Sequence, residues 1–459
     1  RHARPRPARV TSRSRTSRLI FVLRTTAAVI AGKATRVASR LRGGGSALPG
    51  LVAERLDPAF LQHALAGVSG GIVVVSGTNG KTTTTKMLVA IMRAHGHTVF
   101  SNPTGSNFTR GVISSMLEAL PLSGRLDADY AILELDEAHS LRFADAVRPT
   151  HALLLNVARD QLDRFAEIDY TAKLLGQLAS RTSRGVVLNR DDSYISRIAS
   201  EPGVPEASWF GLDASVSERL AELQEADLRD DAGGVEVPAP GPRDALLRPL
   251  DERAFHIDFT GAASVGPVEL RQRGLAAMIN ATAASAMAAR LLGDAFDAQL
   301  TARTLAEVAP PFGRGEVIDL GDRSLELVLV KNPAGFTVAL STYGSTPVPT
   351  MIAINDNTAD GRDVSWLYDV SFESLRDSGV FVTSGLRAYD MALRLRYDDV
   401  DVASVEPDVE RAMASFIAAH PGQPLRLFCT YTAMMQLRKR LAAQYDLPDF
   451  GDEQGEVSV

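Results

Sequence analysis

The chain has 459 residues, of which 45% are hydrophobic and 23% charged, and its formal net charge is −6. This composition is typical of a globular protein and excludes a disordered or fibrous one. The length predicts two or three domains of about 100–200 residues each. The single cysteine, Cys429, excludes an internal disulfide and any metal site built from several cysteines of this chain. A reducing cytosol fits these observations best.

Basic residues are concentrated at the start of the chain. Residues 1–45 contain twelve Arg and Lys, and no Asp or Glu occurs before Glu54. Such a leader is typical of a transit peptide, a nucleic-acid arm or a membrane-surface anchor. Apolar runs at 19–23 and 27–31 alternate with basic residues, which favours an amphipathic helix lying on anionic lipid. No apolar run approaches the roughly 18 residues that span a bilayer. A nucleic-acid role is disfavoured because the acidic remainder repels phosphate.

An α/β pattern begins near residue 70, after a Gly-rich break at 43–46. Short apolar runs alternate with helical stretches and predict buried strands of a mainly parallel sheet, at 72–75, 98–100, 130–133, 152–155 and 186–188. Residues 200–265 lose this rhythm through several prolines and acidic runs, which predicts an irregular insertion. An apolar helix is expected at 276–292, and Pro310-Pro311 marks a boundary.

The last part of the chain repeats the α/β pattern. Apolar runs predict strands of a second, smaller α/β domain, at 325–330, 350–354, 380–382 and 425–428. The predicted organisation is therefore a basic leader (1–45), a middle domain (46–310) with its irregular segment, and a C-terminal domain (311–459).

A Gly-rich turn follows the first predicted strand and opens a helix. This arrangement points backbone N–H groups and the positive end of the helix dipole at one place, so it predicts an anion site. Lys81 is expected to meet the terminal phosphates of a nucleotide, and Thr82 to offer its hydroxyl to Mg²⁺. The general nucleotide loop has Gly where this chain has Val75. The prediction therefore rests on the segment 77–82 itself.

That segment, Gly77-Thr78-Asn79-Gly80-Lys81-Thr82, resembles the ATP loop of the Mur ligases without a change. The resemblance implies a central P-loop ligase domain in which these residues and Thr83 bind ATP. It also implies a second loop at 101–107 near nucleotide and acceptor. Two further residues are expected at the nucleotide: Asn280 at the adenine, and Arg314 of the Gly313-Arg314-Gly315-Glu316 motif.

Glu134 closes the predicted strand at 130–133, with Asp136 and Glu137 just behind it. Carboxylates at the carboxyl end of a strand beside a phosphate loop are where Mg²⁺ ligands are needed. The resemblance assigns the metal-binding glutamate of Mur ligases to Glu134, so Thr82 and Glu134 are the expected Mg²⁺ ligands. Better-known relatives carry a four-cysteine zinc ribbon that this chain lacks, and we expect no zinc site.

Residues 156–165 resemble another Mur ligase segment, with one departure. Gln161 stands where the amino-acid-adding ligases have a His that holds a second metal. This departure disfavours an amino-acid-adding ligase, and it is similar to the MurT subgroup of the family. Whether Lys173 carries the modification known from the amino-acid-adding enzymes stays open.

A block of acidic residues from Asp356 to Asp369 follows the predicted strand at 350–354. Asp-rich loops often form turns and helix caps, but this block resembles the C-terminal domain of the MurT subgroup. The resemblance implies a GatD-like glutaminase partner with a Cys and a His but no acid, which an Asp of this chain supplies to orient the His. We assign that role to Asp356, with Asp360 and Asp363 as alternatives.

The resemblance as a whole implies an ATP-dependent ligase that amidates the D-glutamate α-carboxyl of the lipid II stem peptide through an acyl phosphate. Lys81, together with Mg²⁺ held by Glu134, would neutralise the negative charge of the phosphates. The lipid-linked substrate would bring the enzyme to the cytoplasmic face of the cell membrane. Two alternatives stay open: an amino-acid-adding ligase of the muramyl-peptide or folylpolyglutamate type, and a nucleotide-dependent binding protein without ligase activity.

Overall fold

The computed structural model describes residues 12–41, 47–102, 109–158, 168–213, 241, 243–261, 263–311, 313–344, 347–445 and 447, with the backbone alone at 12–22 and 40–41. Three helices come first in this part of the chain, and two sheets flanked by helices follow. The first helices are α1 (Ser12–Leu41), α2 (Ala47–Leu56) and α3 (Phe60–Leu65).

The first sheet contains nine strands among the described residues. They are β1 (Gly71–Ser76), β2 (Val99–Ser101), β3 (Tyr130–Glu134), β4 (His151–Leu154), β5 (Gly185–Asn189), β6 (Ala207–Leu212), β7 (Ala245–Pro249), β8 (Ala254–Phe259) and β9 (Val265–Glu269). Their order is β2-β3-β1-β4-β5-β6-β7-β8-β9. All pairs from β2 to β7 are parallel, and the two pairs that join β7, β8 and β9 are antiparallel. The prediction of a mainly parallel sheet is confirmed.

Helices cover both faces of this sheet. They are α4 (Lys81–Ala94), α5 (Thr109–Ala119), α6 (Glu137–Ala146), α7 (Ile168–Arg181), α8 (Ser193–Ile198), α9 (Leu275–Leu292) and α10 (Ala298–Glu307). Alternate residues of β1 enter different cores, with Val73 and Val75 on one face and Ile72 and Val74 on the other. A strand buried on both faces reads as a continuous apolar run, which is why the five strands predicted between 72 and 188 are all confirmed.

The prediction of an irregular insertion at 200–265 was wrong for the described part of that range. Strands β6, β7 and β8 extend the first sheet here, and β9 begins at Val265. Strand β8 alternates between buried and partly exposed residues, with Phe255, Ile257 and Phe259 facing the core. This period of two is typical of a half-buried strand, but the neighbouring prolines and acids obscured it. Residues 214–240, which hold many of those acids, lie outside the described range.

Helix α9 confirms the apolar helix expected at 276–292. By length and composition Leu275–Ala295 could cross a membrane, so the expectation that no apolar run approaches that length was wrong. The helix packs against α4, β6 and β7, and most of its residues from Ala277 to Ala288 are buried. Its apolar character is accounted for by this packing, since a helix in a protein core is hydrophobic on most of its circumference.

A second sheet of six strands forms from residue 314 onward in the described chain. Its strands are β10 (Arg314–Asp319), β11 (Ser324–Leu329), β12 (Thr350–Ala353), β13 (Val380–Ser384), β14 (Val402–Glu406) and β15 (Leu425–Cys429). Their order is β10-β11-β15-β12-β13-β14, and only the β10–β11 pair is antiparallel. The accompanying helices are α11 (Pro333–Tyr343), α12 (Ala388–Tyr397), α13 (Val409–Ala419) and α14 (Tyr431–Ala442).

Helix α1 confirms the helical character of the leader but corrects its expected surroundings. Ala28 and Val29 are fully buried, and α1 packs against α2 and α5. Thr25 donates a hydrogen bond of 2.7 Å to Asp57, and Arg36 donates one of 2.9 Å to the carbonyl of Ser114. The prediction that the 27–31 run faces lipid was therefore wrong for Ala28 and Val29. An apolar helix face can be buried by protein as well as by lipid.

Candidate functional site

The loop between β1 and α4 forms the centre of the first candidate site. Gly77 and Gly80 have φ values of 133° and 87°, a region that residues with a side chain rarely adopt. A Cβ atom at Gly80 would collide with the side chain of Asn280 on α9. Gly80 also precedes α4 without a side-chain cap, so the first N–H groups of this helix are left for an anion.

Asn156, which follows β4, holds this loop in place. Its Oδ1 accepts a hydrogen bond of 2.8 Å from the backbone N–H of Asn79, and its Nδ2 donates one of 3.0 Å to the Asn79 carbonyl. Its own carbonyl accepts a hydrogen bond of 3.0 Å from the N–H of Thr78. The loop is therefore preorganised by protein contacts, which is the property that electrostatic stabilisation of a phosphate requires.

Lys81 is buried at the first position of α4. Its Nζ donates hydrogen bonds to the carbonyls of Gly77 and Thr78, the latter at 3.3 Å, and lies 3.3 Å from Oε1 of Glu137. Glu137 is buried in the first turn of α6. The pairing satisfies both buried charges. It also places the ammonium group at the mouth of the loop, where the terminal phosphates of a nucleotide would bind.

Thr82 and Glu134 meet beside Lys81. The Thr82 hydroxyl donates a hydrogen bond of 3.0 Å to Oε1 of Glu134. Asn102 fixes the end of β3, because its amide exchanges two hydrogen bonds of 2.9 Å with the Glu134 backbone. A hydroxyl and a carboxylate fit Mg²⁺, which takes one or two carboxylates together with phosphate and water oxygens. Within the described ranges, no three His, Cys, Asp or Glu residues form a metal-binding group.

Two residues predicted at the nucleotide lie against this centre. Asn280 contacts Gly80, as described above, and Arg314 lies close enough to Glu134 for their charges to interact. Burial lowers the pKa of the Arg314 guanidinium, and the Glu134 carboxylate opposes that shift. Thr83 is buried on α4. The structure thus brings together the predicted residues of the first sheet with Arg314 from the second.

A further contact between the two sheets was missed from the sequence. Asn332 caps α11 by accepting a hydrogen bond of 2.7 Å from the N–H of Gly335, and its Nδ2 donates one of 3.2 Å to Oδ1 of Asn79. Lys331 Nζ lies 3.5 Å from the carbonyl of Thr78. The helix-start signal Asn332-Pro333 is visible in the sequence, but its position over the loop depends on how the two sheets pack.

A second cluster lies at the carboxyl edge of the second sheet. Asp356 follows β12, and Arg387 follows the neighbouring strand β13. Nη2 and Nε of Arg387 both donate to Oδ2 of Asp356, at 2.6 and 2.9 Å. Oδ1 of Asp356 receives no hydrogen bond from the part of the chain that the structure describes. Oδ1 is therefore not committed to a partner within the described chain, and the Asp356 side chain is 19% accessible. Arg387 was not predicted, although both residues follow parallel strands whose ends meet at one edge.

The two alternatives to Asp356 have structural roles. Asp360 accepts hydrogen bonds from the backbone N–H of Thr432 at 2.7 Å, from the Thr432 hydroxyl, and from the N–H of Asn357 at 3.2 Å. Burial raises the pKa of Asp360, and the bonds from Thr432 oppose this. Asp363 accepts a hydrogen bond of 2.8 Å from the N–H of Ser365 in its own turn. Asp360 is therefore engaged through both of its oxygens, whereas Asp356 and Asp363 each keep one oxygen without a hydrogen bond from the described chain.

Some predicted features fall outside the described residues. Gln161 and most of the second loop, from residue 103 to 107, belong to this group. Lys173 lies on α7 with an exposed side chain, and whether it is modified stays open.

Comparison with known proteins agrees with this geometry. Residues 75–288 match the model of the Mur ligase middle domain, and residues 329–434 match that of the MurT ligase C-terminal domain. MurF from Acinetobacter baumannii is 18% identical, with a TM-score of 0.63 over 87% of this chain and 81% of that one. MurF from Thermotoga maritima, solved in complex with ADP, is 16% identical, with a TM-score of 0.59 over 84% of each chain. The fold and the phosphate loop define a Mur ligase.

A curated relative shows to which family of Mur ligases the chain belongs. The MurT subunit of the glutamine-hydrolysing lipid II isoglutaminyl synthase of Streptococcus pneumoniae is 32% identical over 446 residues, which cover 92% of this chain and 98% of the relative. The chain belongs to the MurT family of Mur ligases.

Proposed function

We propose that this chain is the ATP-using subunit of a lipid II isoglutaminyl synthase. ATP phosphorylates the α-carboxylate of D-glutamate in the lipid II stem peptide, giving an acyl phosphate and ADP. Ammonia attacks the acyl carbon, phosphate leaves, and a proton is lost, so that D-glutamate becomes D-isoglutamine. The joint arrangement of Lys81, Thr82 and Glu134 at a preorganised phosphate loop is the observation that carries this proposal.

The described residues have different roles in this reaction, which follow from their positions. The loop N–H groups and Lys81 hold the phosphates, and Thr82 and Glu134 would hold Mg²⁺, which when bound neutralises phosphate charge. Arg314 approaches the same centre and offers a second positive charge. Asn332 reaches the loop from the second sheet, which supports a substrate site between the sheets.

The ammonia source in this proposal is a GatD-like glutaminase subunit. Little ammonia is present as NH₃ at neutral pH, so local delivery raises its effective concentration at the acyl phosphate. The available oxygen of Asp356 supports the role of orienting acid for the partner's His. The relative from Streptococcus pneumoniae is named as a subunit of a glutamine-hydrolysing enzyme, which supports a two-subunit assembly. The lipid-linked substrate supports a location at the inner face of the cell membrane, with peripheral contact to anionic lipid.

The alternative to this proposal is an amino-acid-adding ligase, which the structural likeness to MurF leaves open. The two differ in the nucleophile that attacks the acyl phosphate. The full chain would be incubated with ATP, Mg²⁺ and lipid II, and phosphate release would be measured with ammonium or with single amino acids. We expect ammonium to support amidation of lipid II and amino acids to give no adduct. An amino-acid adduct without amidation would favour the alternative, and absence of any product with every nucleophile would favour a binding protein.

A further inference from the structure

An apolar and aromatic surface lies along α12 and the short helical turn Ser365–Asp369 that packs beside it. Leu386, Tyr389, Leu393 and Tyr397 are 63, 69, 52 and 69% exposed, and Tyr368 is 51% exposed. We call these five residues the α12 face. Three of the four tyrosines that are more than half exposed in the described chain belong to it. Contiguous exposed apolar residues mark interaction sites, and Tyr is enriched at protein interfaces.

Helical spacing explains why these side chains form one surface. Residues 389, 393 and 397 recur at intervals of four, which places them on one side of α12, and Leu386 lies in the turn just before this helix. The opposite side of α12 is buried through Ala388, Met391 and Leu395. Helix α12 therefore has two apolar sides, and the fold covers only one of them.

A buried arginine fixes the neighbouring turn so that Tyr368 joins this face. Arg394 Nε donates a hydrogen bond of 3.1 Å to the carbonyl of Leu367, and its guanidinium pairs with Asp398 at 2.7 Å. The ring of Tyr368 lies 6.1 Å from that of Tyr397, measured between centroids. The α12 face is thus held in a defined shape before any partner binds, which lowers the entropic cost of association.

The α12 face is continuous with Asp356. The N–H of Leu386 donates a hydrogen bond of 2.9 Å to Oδ1 of Asn355, the residue before Asp356. Arg387, the next residue, binds Asp356 directly. A protein that receives the Asp356 carboxylate in its own active site must therefore cover the start of α12.

We propose that the α12 face is the docking surface for the glutaminase subunit, with its tyrosines as the central contacts and Asp356 at its edge. This inference rests on the proposed function, because the glutaminase is the partner that uses Asp356. A few buried aromatic residues carry most of the binding energy in typical interfaces. A standard interface buries about 800 Å² on each partner and involves about 20–30 residues, so the five residues would form only its centre.

The test uses the full chain with Leu393→Glu and, separately, Tyr397→Glu, each titrated with the purified GatD-like glutaminase by calorimetry. Both side chains are exposed, so neither change disturbs the core. We expect the dissociation constant to rise at least about tenfold, because a charge is buried against an apolar contact. Val317→Glu is the matched control, since Val317 is 57% exposed on β10 at the opposite edge of the same sheet. It is expected to bind normally.

Ammonia-supported amidation of lipid II provides the second readout, and we expect all three variants to retain it. Normal glutaminase binding by both α12 variants would overturn the docking surface while leaving the proposed function in place. A self-dimer of this chain that Leu393→Glu dissociates, or vesicle binding that it abolishes, would also overturn it. If the unsubstituted chain bound no glutaminase but still amidated lipid II with ammonia, both the partner assignment and the docking surface would be wrong.

Discussion

Replacing Lys81 with alanine is expected to reduce ATP-dependent amidation of lipid II by roughly a hundred- to a thousand-fold, the usual effect of removing one preorganised charge-stabilising group. The Lys81 ammonium lies among the loop carbonyls and Glu137, where terminal phosphates would bind. The measurement is the rate of lipid II amidation with saturating ammonium, which removes the glutaminase from the reaction. Amidation by Lys81→Ala at a rate close to that of the unsubstituted enzyme would contradict the ligase assignment.

Loss of Lys81 also leaves Glu137 buried without this partner, and an unpaired buried charge destabilises a fold. Thermal unfolding of each variant is therefore needed beside the rate. Lys81→Met retains most of the alkyl chain, and Lys86→Ala removes a lysine from the same helix. We expect Lys81→Met to be as inactive as Lys81→Ala, and Lys86→Ala to remain active. Glutaminase binding should persist in all three, because neither lysine belongs to the α12 face or contacts Asp356 and Arg387.

Replacing Asp356 with asparagine is expected to suppress glutamine hydrolysis by the complex by about a hundred- to ten-thousand-fold, the range of general acid–base contributions. An amide keeps the shape of the carboxylate but cannot stabilise a protonated imidazole. Ammonia-supported amidation should stay near its original rate, because the phosphate loop is unchanged. The two rates are measured on the same complex, with glutamine or with ammonium as the nitrogen source.

Asp363→Asn is the matched control for this experiment, because Asp363 accepts a hydrogen bond only within its own turn. The Asp356–Arg387 ion pair is partly exposed, with side chains 19 and 38% accessible. Its loss should therefore cost less than about 1 kcal/mol of stability. An equal fall of both rates in Asp356→Asn would place the role of orienting acid on another residue, and so would a selective loss of glutaminase activity in Asp363→Asn.

The sequence predicted the parts of the fold and site that depend on short segments. Parallel strands buried on both faces, such as β1 and β3, are continuous apolar runs and were recognised with only small errors at their ends. The phosphate loop was equally clear, because a short Gly-rich turn between a strand and a helix has a fixed local geometry. Glu134 was recognised because it closes a predicted strand beside that loop.

Features that depend on long-range packing were not predicted. Arg387 meets Asp356 only because β12 and β13 are neighbours in the second sheet, and the order of strands is not visible in an apolar pattern. Helix α1 was recognised as amphipathic, but the sequence could not distinguish a face buried against α5 from one buried in lipid. Strands β7 and β8 were missed because their alternation is short and flanked by prolines and acids.

The most direct test of the account follows nitrogen through the reaction. The full chain and its GatD-like glutaminase would be incubated with ATP, Mg²⁺, lipid II and glutamine that carries heavy nitrogen in its side-chain amide. We expect mass spectrometry to find that nitrogen in the α-amide of the D-glutamate residue, with ADP and phosphate released. The Lys81→Ala variant is expected to incorporate the label at least about a hundredfold more slowly. Lipid II that stays unamidated while glutamine and ATP are consumed, or that gains an amino acid in place of the amide, would contradict the account.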